Sequence, residues 1–182
     1  MLQRSPNPAR YTRVAVILHW SVALLVTVIG IIGLTFKRLP TMPPGYWVNL
    51  HAVLGLLFLS LVLTRILYRI GHKPPDLPGS VGAVTRTSAQ ALHAVFYVLM
   101  LIIAALGLVA FIWHARVFEF ALFAIDLGVV KDRTIYHPAQ DFHRWFAYGL
   151  LALIALHVAA ALWHVLVKRD GVLRRMSLSR AT

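Results

Sequence analysis

The sequence predicts an all-α integral membrane protein: a single four-helix bundle over residues 1–182 with both termini in the cytoplasm. Three observations predict it. The 182 residues are 59% hydrophobic and only 13% charged, against about 25% charged for an ordinary soluble domain. Runs of 23, 29 and 23 residues without Asp, Glu, Lys or Arg lie between Arg13 and Lys37, Arg86 and Arg116, and Arg144 and Lys168, each longer than the roughly 20 residues that cross a hydrocarbon core. Finally, the basic residues divide unevenly. Four spans leave twelve Lys and Arg on the side of the termini (Arg4, Arg10, Arg13, Arg65, Arg69, Lys73, Arg86, Lys168, Arg169, Arg174, Arg175, Arg180) and six on the other (Lys37, Arg38, Arg116, Lys131, Arg133, Arg144), and the positive-inside rule puts the richer side in the cytoplasm.

The elements follow in order. Residues 1–13 form a short polar tail, and the first span covers 14–36. Its apolar run exceeds the roughly 7–15 residues of a signal-peptide core, so it is expected to remain as a span. "KRLPTMPPGYW", with three prolines and a glycine, makes a tight extended link to the second span, 46–69, whose apolar run is interrupted by Arg65. "GHKPPDLPGS" breaks that helix before the third span, 88–113. The loop 114–140 contains "RVFEFALFAIDLGVV", apolar but too short to cross, and is expected to lie along the outer interface. The fourth span is 141–168.

Composition also excludes functions. With no cysteine, the chain has no disulfide, iron–sulfur or thiolate site and no Cys-x-x-Cys-His attachment of c-type haem. The net charge of +12 is absorbed by topology and by attraction to anionic lipid headgroups. No soluble basic domain is present to bind nucleic acid.

The chemistry-bearing residues are the histidines. Of nine, His72, His114 and His137 fall in loops or at span ends. His19, His51, His93, His143, His157 and His164 fall within or at the edges of spans, where an ionisable side chain is costly and points to function. His143 and His157 are fourteen residues apart, about 3.9 turns and ~21 Å of rise, so one helix presents two imidazoles on one face at two depths. His51 lies at the level of His143, and His19 on the half that holds His157. Two cross-helix imidazole pairs at two heights suit two iron porphyrins with both axial positions filled, a design for electron transfer rather than O₂ binding. A proton relay is the other reading of buried imidazoles. Gly30, Gly33, Gly55, Gly107 and Gly149 would admit a flat macrocycle or close helix packing.

"ILHWSVALLV", "NLHAVLGLLFLSLVLTRILYRI", "ALHAVFYVLML" and "FHRWFAYGLLALIALHVAAALWHVLVKRDGVLRRM", in this order over residues 11–176, resemble the prokaryotic cytochrome b561 family, and the chain is identified as a member of it. The resemblance implies two haem b groups, His51 and His143 on the outer iron and His19 and His157 on the inner one. It implies a multi-pass protein of the bacterial inner membrane that passes electrons from a periplasmic donor, superoxide, to ubiquinone. His93 is the alternative inner ligand. Otherwise His93 and His164 are candidates for hydrogen bonds to a quinone or a haem propionate.

Charges fit that expectation in two places. Superoxide is an anion, and Arg144, Lys131 and Arg133, with Lys37 and Arg38, are candidates to steer it, although four acids (Glu119, Asp126, Asp132, Asp141) share that face. Arg65 and Arg69, one turn apart on the inner half of the second span, are candidates for haem propionates or for snorkelling. Trp20, Trp145 and Trp163 read as membrane-belt aromatics, and Trp20 and Trp145, beside or near ligand positions, are also candidates to wall a haem. Besides superoxide and quinone, membrane lipids and a separate redox subunit are the expected partners. The competing functions are a haem-carrying anchor subunit of a dehydrogenase or hydrogenase, and a haem-free proton or metal transporter.

Overall fold

The computed structural model describes residues 10–40, 42–43, 45–75, 83–114, 117–120, 123–126 and 128–178. Arg4, Arg116 and Arg180, counted in the charge distribution, lie outside the described residues, as do the side chains of Lys37, Arg86 and Glu119. Four helices dominate: α1 (Arg13–Thr35), α2 (Tyr46–Gly71), α3 (Ala83–His114) and α4 (Arg133–Trp163), the last continuing as a π-helical turn over His164–Lys168. Each contains a segment long and apolar enough to cross a membrane. A helix satisfies its own backbone polar groups, which is the condition for crossing hydrocarbon.

The ends of the helices follow from local chemistry. Thr12 caps α1 by accepting the Ala15 N–H at 3.2 Å, and its hydroxyl also meets the Tyr68 hydroxyl at 2.9 Å, tying α1 to α2. Gly45 precedes α2 at φ 81°, a left-handed conformation that glycine adopts without a Cβ penalty.

The fourth helix starts eight residues before the expected 141. Asp132 is its cap, its carboxylate accepting from both the N–H (2.8 Å) and the hydroxyl (2.7 Å) of Thr134. Pro138 stands inside the helix. It leaves the Thr134 carbonyl without its helical donor, but the first turns are secured by burial of Tyr136 and Ala139. The connection before it is correspondingly shorter than 114–140. Its apolar stretch forms an antiparallel hairpin, β1 (Val117–Phe120) with β2 (Phe123–Asp126), paired Val117 to Asp126 and Phe120 to Phe123, with β1 against α2. Paired strands satisfy the backbone of a segment too short to span.

Chain order sets the packing: α1 on α2, α2 on α3 and, most extensively, α3 on α4. All four meet in one small core of Val22, Phe58, Val62, Met100, Ile103 and Leu150. Leu150 lies seven residues from both His143 and His157, so this apolar plug sits between the two histidine levels. Elsewhere large apolar side chains face outward, as on Leu24, Leu67 and Leu156, each more than 60% exposed, the surface that lipid covers. At the end carrying the termini, the segment after α4 folds back. Buried Arg175 donates to the Pro75 carbonyl at 2.9 Å, its own carbonyl accepts from Tyr11 N–H, and Trp20 Nε1 donates to the Met176 carbonyl.

Candidate haem-binding site

The bundle brings the imidazoles together at two levels. Near the hairpin end, His51 of α2 and His143 of α4 have ring centroids 6.0 Å apart with planes at 76°. Toward the terminal end, His19 of α1 and His157 of α4 are 6.4 Å apart at 69°. His93 of α3 stands 6.3 Å from the same His157 ring, so this level holds three imidazoles.

These separations test whether the residues fit an iron between paired rings. Metal–imidazole bonds of about 2.0–2.1 Å, with about 1.1 Å from each ring centre to its nitrogen, set coaxial centroids about 6.3 Å apart. Both levels meet that spacing, while direct hydrogen bonds between rings are absent among the described residues. The surroundings agree. His143 Nδ1 donates to the Ile103 carbonyl at 2.8 Å, which fixes the tautomer and leaves Nε2 as a free lone pair, the usual state of a ligating histidine. His93 is similarly fixed, donating from Nδ1 to the Ala89 carbonyl at 2.6 Å. Among the described residues one buried side-chain polar atom has no hydrogen-bond partner, and it is His51 Nδ1. The Ile29 carbonyl approaches this ring, but without hydrogen-bond geometry at that nitrogen.

Two of the five glycines noted in the sequence stand where these rings need room. A Cβ on Gly107 would lie 2.9 Å from both Cε1 and Nδ1 of His143, and one on Gly33 would lie 3.2 Å from His51 Cε1. Gly30 would meet Leu151 at an ordinary 3.4 Å, while Gly55 and Gly149 face open space. Gly107 therefore lets His143 lie against the α3 backbone and reach the Ile103 carbonyl. Sequence reasoning did not foresee that carbonyl, nor the ring walls Phe36 (5.3 Å from His51) and Phe96 (5.6 Å from His157). Phe96 is three residues from His93 on the same helix, a spacing that placed it near the site. Nothing in the sequence pointed to Phe36 or to the carbonyl.

The charged candidates separate. Arg65 is half-buried, with Nε on the Tyr97 hydroxyl (3.1 Å) and a terminal nitrogen on the Ala15 carbonyl (3.0 Å). Arg69 lies over the Tyr97 ring, 6.0 Å from its centroid. At the hairpin end Arg144 is exposed and bonded to Asp141 at 2.8 Å. Lys131 rests 5.5 Å from the centre of the Tyr136 ring, which also contacts His114 and His137, and Arg133 is exposed on the first turn of α4. The structure does not gather Arg144, Lys131 and Arg133 around one point through any shared partner. His164 bonds Asp170 through Nδ1. Burial opposes ionisation of Asp170, but the bonds from His164 and the Val172 N–H outweigh it and hold the carboxyl below its ordinary value. Trp145 and Trp163 are more than half exposed, the placement of belt aromatics.

Comparison with known proteins identifies the family of the chain. A family profile described as prokaryotic cytochrome b561 matches residues 10–177. The chain is similar to cytochrome b562 of Cereibacter sphaeroides, at 31% identity over 93% of this chain and 96% of that protein. It is similar to cytochrome b561 homolog 2 of Escherichia coli K12, at 27% identity over 93% and 92% of the two chains. It is also similar to a Yersinia pestis protein named "Probable superoxide oxidase CybB", at 24% identity over 92% and 95%. The chain belongs to the prokaryotic cytochrome b561 family, membrane cytochromes that bind haem b and transfer electrons.

Proposed function

We propose that this protein binds two haem b groups, one between His51 and His143 and one between His19 and His157, and carries electrons from superoxide to ubiquinone across the bacterial inner membrane. The observation that carries the reading is the pair of imidazole couples at two heights, 6.0 and 6.4 Å apart between centroids. The excess of Lys and Arg at the terminal end puts that end in the cytoplasm, so the hairpin end faces the periplasmic donor. The name of the Yersinia pestis relative favours superoxide as that donor.

His51 with His143, and His19 with His157, would hold a haem at each level, which would supply a one-electron carrier there. The chain's residues do the rest. His143 is held by the Ile103 carbonyl against a helix that Gly107 leaves open. Arg65, with two of its nitrogens on neutral acceptors, keeps a further nitrogen for a haem carboxylate. The buried core of Val62, Leu150 and their neighbours excludes water between the levels. At the hairpin end Lys131 and Arg133 offer positive charge to an anion, while Arg144 is largely cancelled by Asp141. His93, equally near His157, is the competing inner ligand.

The test is a reduced visible spectrum of the purified chain with iron counted per polypeptide. Two b-type haems are expected. His51→Ala and His143→Ala should each lose the same one, and His19→Ala and His157→Ala the other. Retention of both haems in His19→Ala with loss in His93→Ala moves the inner ligand to α3, and a colourless protein ends the proposal. Superoxide and ubiquinone supplied to the chain alone should support turnover. If turnover needs an added redox subunit, the chain is the haem-carrying anchor of a larger complex.

A further inference from the structure

Arg65 occupies a singular position. Its guanidinium bridges α1 and α3 from α2, donating to the Ala15 carbonyl and to the Tyr97 hydroxyl. Ala15 is one helical turn before His19, and Tyr97 is one turn after His93. The cation is thus fixed within a turn of two of the three imidazoles at the terminal-end level, and both of its observed acceptors are neutral. Arg69 adds a second cation on the Tyr97 ring. A cavity of about 130 Å³ between α1, α2 and α3 is lined by both arginines, and no described carboxylate lines it. The described carboxylate at this end, Asp170, is bonded to His164. The other level is different. Of its candidate cations, Arg38, Lys131, Arg133 and Arg144 are exposed, and Arg144 is paired with Asp141. Each haem brings the same two carboxylates, so they do not create a difference between the levels; the protein's charges do.

We infer that Arg65, supported by Arg69, makes the terminal-end haem easier to reduce than the hairpin-end haem, and so sets the direction of electron flow toward the end carrying the termini. The inference rests on the two-haem reading above. Adding an electron lowers the positive charge of a site, so a nearby fixed cation favours the reduced form. A unit charge at about 10 Å, with an effective dielectric of about 20, shifts such an equilibrium by on the order of tenfold; exposed charges at the opposite level are screened and count for less. The overall reaction balances. Each superoxide gives one electron at the hairpin end and leaves as O₂, and two such electrons with two protons convert quinone to quinol.

The test is a spectroelectrochemical titration of the purified full chain in detergent. The wild type should show two waves, and the wave left in His143→Ala should be the higher. Arg65→Gln should lower that wave by about tenfold in its equilibrium constant, about 59 mV for one electron, and leave the other in place. Arg65→Lys keeps the charge and should restore most of the shift, an outcome a packing role would not produce. Should Arg65→Gln fail to load haem, Arg69→Gln gives the same reading as a smaller shift in the same wave. The inference is overturned if His143→Ala retains the lower wave, if both waves or neither move, or if Arg65→Lys shifts as far as Arg65→Gln. A wild-type protein without two haems sinks the functional reading instead, which the haem count reveals before any titration.

Discussion

Substituting Gly107 by alanine probes the site through one methyl group. The new Cβ would sit 2.9 Å from both Cε1 and Nδ1 of His143, where carbon contacts settle at about 3.5–4.0 Å. The obstacle on one side is the α3 backbone and on the other a ring anchored by a 2.8 Å bond from Nδ1 to the Ile103 carbonyl. The ring must move by roughly half an ångström or more, and the hydrogen bond stretches or breaks. Overpacking of this kind costs about 1–3 kcal/mol, and a buried donor left unpaired costs about 1–3 kcal/mol more. Loss of the group that orients a ligating histidine lowers affinity for its metal by about 10–100-fold. Gly107→Ala should therefore release the hairpin-end haem at dilutions where the wild type keeps it, and leave the terminal-end haem bound. Haem per chain after gel filtration, with reduced spectra, measures this. Gly71→Ala, where nothing lies within 4 Å, is the control. Wild-type retention of both haems in Gly107→Ala would refute the placement of His143 against α3 as a ligand.

Other outcomes follow from the same structure. Gly33→Ala, with its milder 3.2 Å approach to His51 Cε1, should weaken the same haem by less than Gly107→Ala, read in the same assay. The bonds from the Thr134 hydroxyl and N–H hold the Asp132 carboxyl below its ordinary 3.8; a depressed value means that its contribution is complete above about 3.8 and fades as pH falls through the lower folded value. Hydrogen exchange over residues 133–137 should therefore accelerate in Asp132→Ala at neutral pH, and the wild type should approach the variant in acid. Arg175→Ala removes a bond from a buried guanidinium to the Pro75 carbonyl, worth about 1.5–3 kcal/mol for a charged donor. Limited proteolysis should then cut the segment after Lys168 faster, with the haem spectrum unchanged.

How much was legible in the sequence differs by element. The spans were readable because hydrocarbon tolerates only long apolar runs with internally satisfied backbones, and charge-free stretches announce them. The start of α4 was not, because Pro138 gives a strong local signal against a helix; the Asp132–Thr134 cap was the opposing clue. The hairpin was missed because an apolar stretch of that length fits an interfacial segment as well as two paired strands, and only pairing distinguishes them. On α4, the fourteen-residue step from His143 to His157 put both rings on one face at two heights, since helical periodicity is a local property. Which rings on other helices would meet them was a matter of level alone, and level left both His19 and His93 open.

The sequence by itself determined that this chain crosses a membrane four times, which end carries more positive charge, and that imidazoles stand at two depths, because hydrophobic length, charge and helical phase are written residue by residue. The tertiary structure alone decided that His143 leans on the Ile103 carbonyl beside Gly107, that Arg65 bridges the turns next to His19 and His93, and that Arg144 gives its charge to Asp141. Those facts depend on how helices rotate and approach one another, and helix rotation is set by packing across the whole bundle.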